Sequence, residues 1–173
     1  MIPRLARRAL WGGRRSIHVE ARIKDLGITL PPFPVPPQGS YAVYARTGDL
    51  LYLSGHLPMS SDGVLMRGKV GQDLTEEEGK AAARMVAINF LTTLKHELGD
   101  LDCVKQVVKL VGFVSCVDGF TGQPAVINGA SDLLVEVFRE KGVHARSAVG
   151  TNILPLNIPV EIEAIVEVQR EEA

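Results

Sequence analysis

The chain has 173 residues, 46% apolar and 23% charged, with 19 basic against 20 acidic side chains and a formal net charge of −1. That is the composition of an ordinary globular protein with room for one substantial core. No uninterrupted apolar run approaches the ~18 residues of a spanning helix, which argues against an integral membrane protein.

The charge is unevenly distributed. Arg4, Arg7, Arg8, Arg14 and Arg15 fall in the first sixteen residues, and no acid precedes Glu20. Without those five the chain carries 14 basic and 20 acidic residues, a formal charge of −6, which disfavours a phosphate-backbone binder. Residues 1–16 read as a mitochondrial transit peptide, being Arg-rich, acid-free and without the apolar core of a secretory signal. The other reading is a disordered basic arm that touches nucleic acid or acidic lipid. The first places the protein in the mitochondrial matrix, with the cytoplasm as the alternative.

Residues 17–40 read as a short helix and a connector. Ser16 is the expected cap of a helix reaching Leu26 and stopped by Gly27. Pro31-Pro32-Phe33-Pro34-Val35-Pro36-Pro37 must be extended, because proline fixes its own φ and constrains the residue before it. The remaining 41–173 form the expected domain. Tyr41–Arg46 and Leu50–Ser54 flank the turn Thr47-Gly48-Asp49 as a hairpin, ended by Gly55 and Pro58. Val64–Val70 is a weaker third strand. Thr75-Glu76-Glu77-Glu78 is a capping box for a long helix, with Ala83, Ala87, Phe90, Leu94 and Leu98 along one stripe and Gly99 as its stop.

Val104–Cys116 is a strand apolar on both faces. Period-two alternation puts Val104, Val108, Leu110 and Val114 on one face and Val107, Val111 and Phe113 on the other. A disulfide between Cys103 and Cys116 would have to span roughly 40 Å of extended chain, so both are read as thiols. The four histidines share no metal-ligand spacing. A loop through Pro124 leads to a second helix, Ile127–Lys141, with Asn128 near its start. Ser147–Ile153 and Val160–Val168 close the list. In the last strand, Val160, Ile162, Ala164, Val166 and Val168 face one way and Glu161, Glu163 and Glu167 the other. The order implies an α+β fold, two helices covering one face of a mixed sheet. Further copies of the chain are expected over the other face.

The segment His144-Ala145-Arg146-Ser147, followed by Val160-Glu161-Ile162-Glu163, offers a guanidinium and a carboxylate on two segments that could pair as strands. Arginine can grip a carboxylate with two parallel bonds, and glutamate can orient water or move a proton. By spacing alone Arg146 reads first as an exposed surface arginine beside a solvated strand face.

Tyr41, Leu51-Tyr52-Leu53-Ser54-Gly55-His56-Leu57-Pro58, Asp62-Gly63, Val107 through Val114, Ala145-Arg146-Ser147 and Val160-Glu161-Ile162-Glu163 together resemble the YjgF/RidA family over roughly 41–168. The resemblance implies a chorismate-mutase-like fold and a homotrimer with clefts between subunits. It also implies hydrolysis of reactive imines or enamines, of the 2-aminoacrylate type, to 2-oxo acids and ammonia without a cofactor or metal. It assigns Arg146 to the substrate carboxylate and Glu161 to the attacking water, with Tyr41, Ser54, Gly55 and Asn128 lining the cleft. The strand pattern alone does not choose between Glu161 and Glu163. Ala148 stands where the family often carries cysteine, and His144 where proline or alanine is usual, which marks a side branch. Two rival readings are a non-catalytic trimer that binds a small carboxylate metabolite, and an endoribonuclease or translation inhibitor.

Overall fold

In the computed structural model, which describes residues 18–37 and 39–169, five strands form one mixed sheet. The strands are β1 (Tyr44–Thr47), β2 (Leu50–His56), β3 (Val104–Ser115), β4 (Ala145–Thr151) and β5 (Val160–Val168), and the helices are α1 (Val19–Asp25), α2 (Glu76–Leu98) and α3 (Gln123–Phe138). The spatial order is β1-β2-β5-β3-β4; β3 and β4 run parallel and the other pairs antiparallel. The two segments bearing Arg146 and Glu161 therefore do not pair, because β3 lies between them. β4 follows β3 through α3 and docks parallel on its outer edge, leaving β5 to close the gap between β3 and the hairpin.

Two helices cover one face, as the pattern implies. Val160, Ile162, Ala164, Val166 and Val168 of β5 are buried there with Leu51 and Leu53 of β2, against Ala83, Ala87, Phe90 and Leu94 of α2 and Ala130, Leu133, Leu134 and Val137 of α3. Full burial of each large side chain contributes about 1.5–3 kcal/mol. α2 starts as the capping box requires: Thr75 accepts from the Glu78 N–H at 3.2 Å, and the Glu78 carboxylate accepts from the Thr75 N–H at 2.8 Å. α1 adds Val19 and Ile23 to the same core. Ser16 lies outside the described residues, as does the basic segment before it. Among the described residues, the N-terminus of α1 is capped from afar, by Asp102 Oδ1 accepting from Val19 N–H at 2.9 Å.

Several boundaries differ from the sequence reading: β1 starts at Tyr44 rather than Tyr41, β4 runs Ala145–Thr151 rather than Ser147–Ile153, and α3 ends at Phe138 rather than Lys141. β2 continues through Gly55 to His56, because a register shift between Leu53 and His56 absorbs the glycine. Val64–Val70 forms no strand; Leu65 and Val70 make only isolated bridges, and Gly68 and Gly71 on either side of Val70 take positive φ. α3 begins at Gln123, four residues early, with Pro124 in its first turn, where a missing N–H costs nothing. In β3, register shifts at Val104/Gln106 and at Val107/Lys109 each add one residue to the strand. The first reverses the alternation and the second restores it, so Val107 is buried and Val108 is 37% exposed, the opposite of strict alternation. Cys103 and Cys116 are both free.

Among the described residues, no helix covers the other face of the sheet. Tyr52 and Val149 are among its exposed apolar side chains, beside Lys109, Glu163 and Ser147. None of the helices among the described residues is long and apolar enough to cross a membrane.

Candidate functional site

Directly paired strand residues share a face. Arg146 is opposite Leu110, which is opposite Ala164, and both of those are buried under the helices. Arg146 therefore leans toward α3. Its Nη1 donates to Ser131 Oγ at 3.0 Å and its Nη2 to the Pro124 carbonyl at 3.0 Å. A guanidinium has five N–H donors, so the anchored head keeps donors for an anion. Pro124, Asn128 and Ser131 are spaced i, i+4, i+7, which puts all three on one stripe of α3. Asn128 thus shares the stripe of α3 that holds Arg146, in the second turn of the helix rather than at its start.

Ser131 has a second partner. His144 Nε2 lies 2.9 Å from Ser131 Oγ, and His144 Nδ1 lies 2.6 Å from the Gly142 carbonyl. A carbonyl only accepts, so Nδ1 carries the proton and Nε2 accepts from the Ser131 hydroxyl. Burial, and then the charge of Arg146, hold the His144 pKa below its usual value, while the Gly142 bond opposes this.

Glu161 and Glu163 occupy the open face, opposite Phe113 and Val111. They differ in setting. Glu161 is half-buried and packs against Gly55, where a β-carbon would overlap its Oε1. Burial, and then the neighbouring charge of Glu163, push its pKa up. Glu163 is exposed and lines a cleft of about 450 Å³ with Tyr41, Tyr52, Ser54, Lys109 and Val111. Ser54 is tied down, its hydroxyl donating to the Ala42 carbonyl at 2.7 Å and its N–H to the Val43 carbonyl at 2.9 Å. A small recess beside it is lined by Val35, Pro36 and Pro37 together with Tyr41, Gly55 and His56, so the proline segment borders the Ser54-Gly55 turn.

His56 anchors that turn from behind. It is 5% exposed, its Nδ1 donates to the Ser54 carbonyl at 2.7 Å, and its Nε2 accepts from the Thr93 hydroxyl of α2 at 2.8 Å. Its ring leans on Phe90, centroids 4.6 Å apart. Burial lowers its pKa to about 4, so it is neutral at pH 7.

The sequence-derived residues thus fall into two groups. Arg146 and Asn128 lie at the β4 edge on the helix side. Tyr41, Ser54, Gly55, Glu161 and Glu163 lie on the open face. Ser131 and the Pro124 carbonyl were missed because they are distant in sequence from Arg146, and a helix start four residues early moves their stripe. His144 carried a signal, its departure from the family pattern.

Glu20, Asp100 and Asp102 cluster as a possible set of cation ligands. Glu20 accepts from Lys95 Nζ and the Leu101 N–H, Asp100 from the Asp102 N–H, and Asp102 from the Val19 N–H. The cluster already serves as a splice joining α1 to the start of β3.

A family model described as "YjgF/chorismate mutase-like, putative endoribonuclease" matches residues 20–167. Protein TCP17 of Trypanosoma cruzi is 46% identical over 153 residues, 88% of this chain and 95% of that protein. The crystal structure of Atu1372 from Agrobacterium tumefaciens, a protein of unknown function, has a TM-score of 0.81 at 44% identity, covering 89% of this chain and 94% of that one. A Shewanella oneidensis structure described as a putative endoribonuclease has a TM-score of 0.83 at 33% identity, covering 87% and 99%.

Proposed function

Because the chain belongs to the YjgF/RidA family, we propose that it hydrolyses small 2-imino acids, and their enamine tautomers, to 2-oxo acids and ammonia. The site would form between copies of a homotrimer. The observation that carries this reading is the anchored guanidinium of Arg146, two of its donors spent on α3 and the others free for a carboxylate. Lysine could supply the charge at that position but not the fork.

Arg146 and Glu161 belong to opposite faces of one sheet, so they meet only if Arg146 of one copy abuts the open face of a neighbour. The exposed Tyr52 and Val149 give that face apolar surface to bury. In such a cleft Glu161 accepts a proton from water as its oxygen adds to the C=N carbon, and returns that proton to the nitrogen to give a carbinolamine. Glu161 then takes the carbinolamine's hydroxyl proton and passes it to the amino nitrogen, so that C=O forms, the C–N bond breaks and ammonia leaves a 2-oxo acid. A raised pKa suits Glu161 to this step, since a base poised nearer neutrality both takes and returns the proton. Ser54 and Gly55 line the approach, and Tyr41 covers it. No cofactor or metal enters these steps. The same reading makes residues 1–16 a mitochondrial transit peptide, which import of a tagged full-length chain, followed by N-terminal sequencing, would test.

Purified protein supplied with an amino acid and its oxidase should speed imine loss measured against semicarbazide trapping. Glu161→Gln should slow turnover, and Arg146→Lys should raise KM. No acceleration over buffer with several amino acids would sink the deaminase reading in favour of a non-catalytic carboxylate binder. RNA cleavage that survives Arg146→Ala would separate any ribonuclease activity from this site. Sedimentation showing only single chains would remove the intersubunit site altogether.

A further inference from the structure

The Ser131-His144 pair at the β4 edge lies outside the residues to which the family resemblance gives a role. Its hydrogen bonds have one consistent direction. Gly142 O accepts from His144 Nδ1–H; Ser131 O–H donates to His144 Nε2; the Ser131 oxygen then turns a lone pair to Arg146 Nη1. Two contacts near 3 Å join at one oxygen, so Nε2 and Nη1 are no more than about 6 Å apart, within range of strong charge coupling.

We propose that Ser131 and His144 are positioning residues for Arg146 and that they make anion capture proton-linked. Ser131 fixes one edge of the guanidinium, and a proton on His144 adds a second positive charge to the same site. The proposal rests on reading Arg146 as a carboxylate clamp.

The alternative use of a serine hydrogen-bonded to histidine is as a nucleophile. Ser131 is poorly placed for that. It lies inside α3, where the neighbouring N–H groups are spent on helix bonds and cannot hold an oxyanion. Its oxygen also already accepts from Arg146.

The other charged groups around His144 are engaged elsewhere or turned outward. Asp132, next to Ser131, is 3.4 Å from Lys80 of α2. Lys141, in the turn before β4, donates to the Val104 carbonyl, and Glu140 in that turn is exposed. β3 offers the neutral Gln106, which donates to the Val143 carbonyl. Arg146 is the charge that acts on His144, and it lowers the pKa. A carboxylate bound at Arg146 cancels that effect. Binding therefore raises the His144 pKa, and by reciprocity protonation tightens binding.

The test uses the full chain and pyruvate, the simplest 2-oxo acid, as probe. The His144 ring is titrated by NMR with and without saturating pyruvate, and pyruvate affinity is measured calorimetrically across the same pH range. Pyruvate should raise the His144 pKa by about one unit. Affinity should be about tenfold higher well below that pKa than well above it. His144→Gln should flatten that pH dependence. Ser131→Ala should weaken binding severalfold at every pH. An unmoved His144, with pyruvate binding that disappears in Arg146→Gln, overturns the proposal and leaves the carboxylate clamp standing. No pyruvate binding, or binding indifferent to Arg146→Gln, overturns both.

Discussion

Gly55 is the residue on which the open-face half of the site turns. Its lack of a side chain admits the Glu161 carboxylate, and the clash a β-carbon would create falls on the far end of a flexible chain. Gly55→Ala should therefore move Glu161 rather than unfold the protein. The expected outcome is the proposed imine hydrolysis slowed roughly a hundredfold, as for the proposed general base displaced by about 1 Å, with the thermal midpoint little changed. Parallel activity and melting measurements check it, and an equal loss of both would make Gly55 a packing residue only. Arg146 shows the opposite situation. Its residue type was informative in the sequence, but the atoms that aim it, Ser131 Oγ and the Pro124 carbonyl, belong to a helix more than a dozen residues away.

At the scale of elements, the most dependable signals were those whose physics is local. The capping box of α2, the Thr47-Gly48-Asp49 turn and the alternation of β5 each depend on neighbours in sequence, and each appears in the structure. The bulges of β3 do not. They are set by the partner strand β5, so period-two reasoning put Val107 and Val108 on the wrong faces. The contact between α2 and α3 is likewise tertiary. At Gly129 the two helices come so close that a β-carbon would overlap the Lys80 carbonyl oxygen. Gly129→Ala gains about 1 kcal/mol of helix propensity, but the clash is with backbone, and overpacking of that kind costs about 1–3 kcal/mol. The net expectation is a destabilisation of about 1 kcal/mol in urea unfolding, where a free surface helix would show stabilisation.

For the whole molecule, the titration of His56 couples the site to global stability. Its folded pKa, about 4, is below the ordinary histidine value of 6.5 because burial disfavours the charged ring. The unfolded chain therefore takes up the proton first as pH falls. The stabilisation is complete above about pH 6.5 and is lost progressively down to about pH 4, amounting to roughly 3 kcal/mol. Urea midpoints measured from pH 7.5 to pH 4 should fall across that window, and His56→Gln should flatten the decline. An unchanged slope in the variant would assign the acid sensitivity to other groups.

The sequence by itself determined the two-layer α+β architecture, which follows from local periodicity and capping, and the family, which follows from the motifs around Ser54-Gly55, Arg146-Ser147 and Val160-Glu161. Only the tertiary structure decided that β3 separates Arg146 from Glu161 and that the two face opposite ways. Strand order is set by which edges the core leaves open, not by neighbours along the chain. The same distinction applies to the two glutamates. They alternate identically in sequence, yet packing against Gly55 half-buries Glu161 and leaves Glu163 exposed at the cleft.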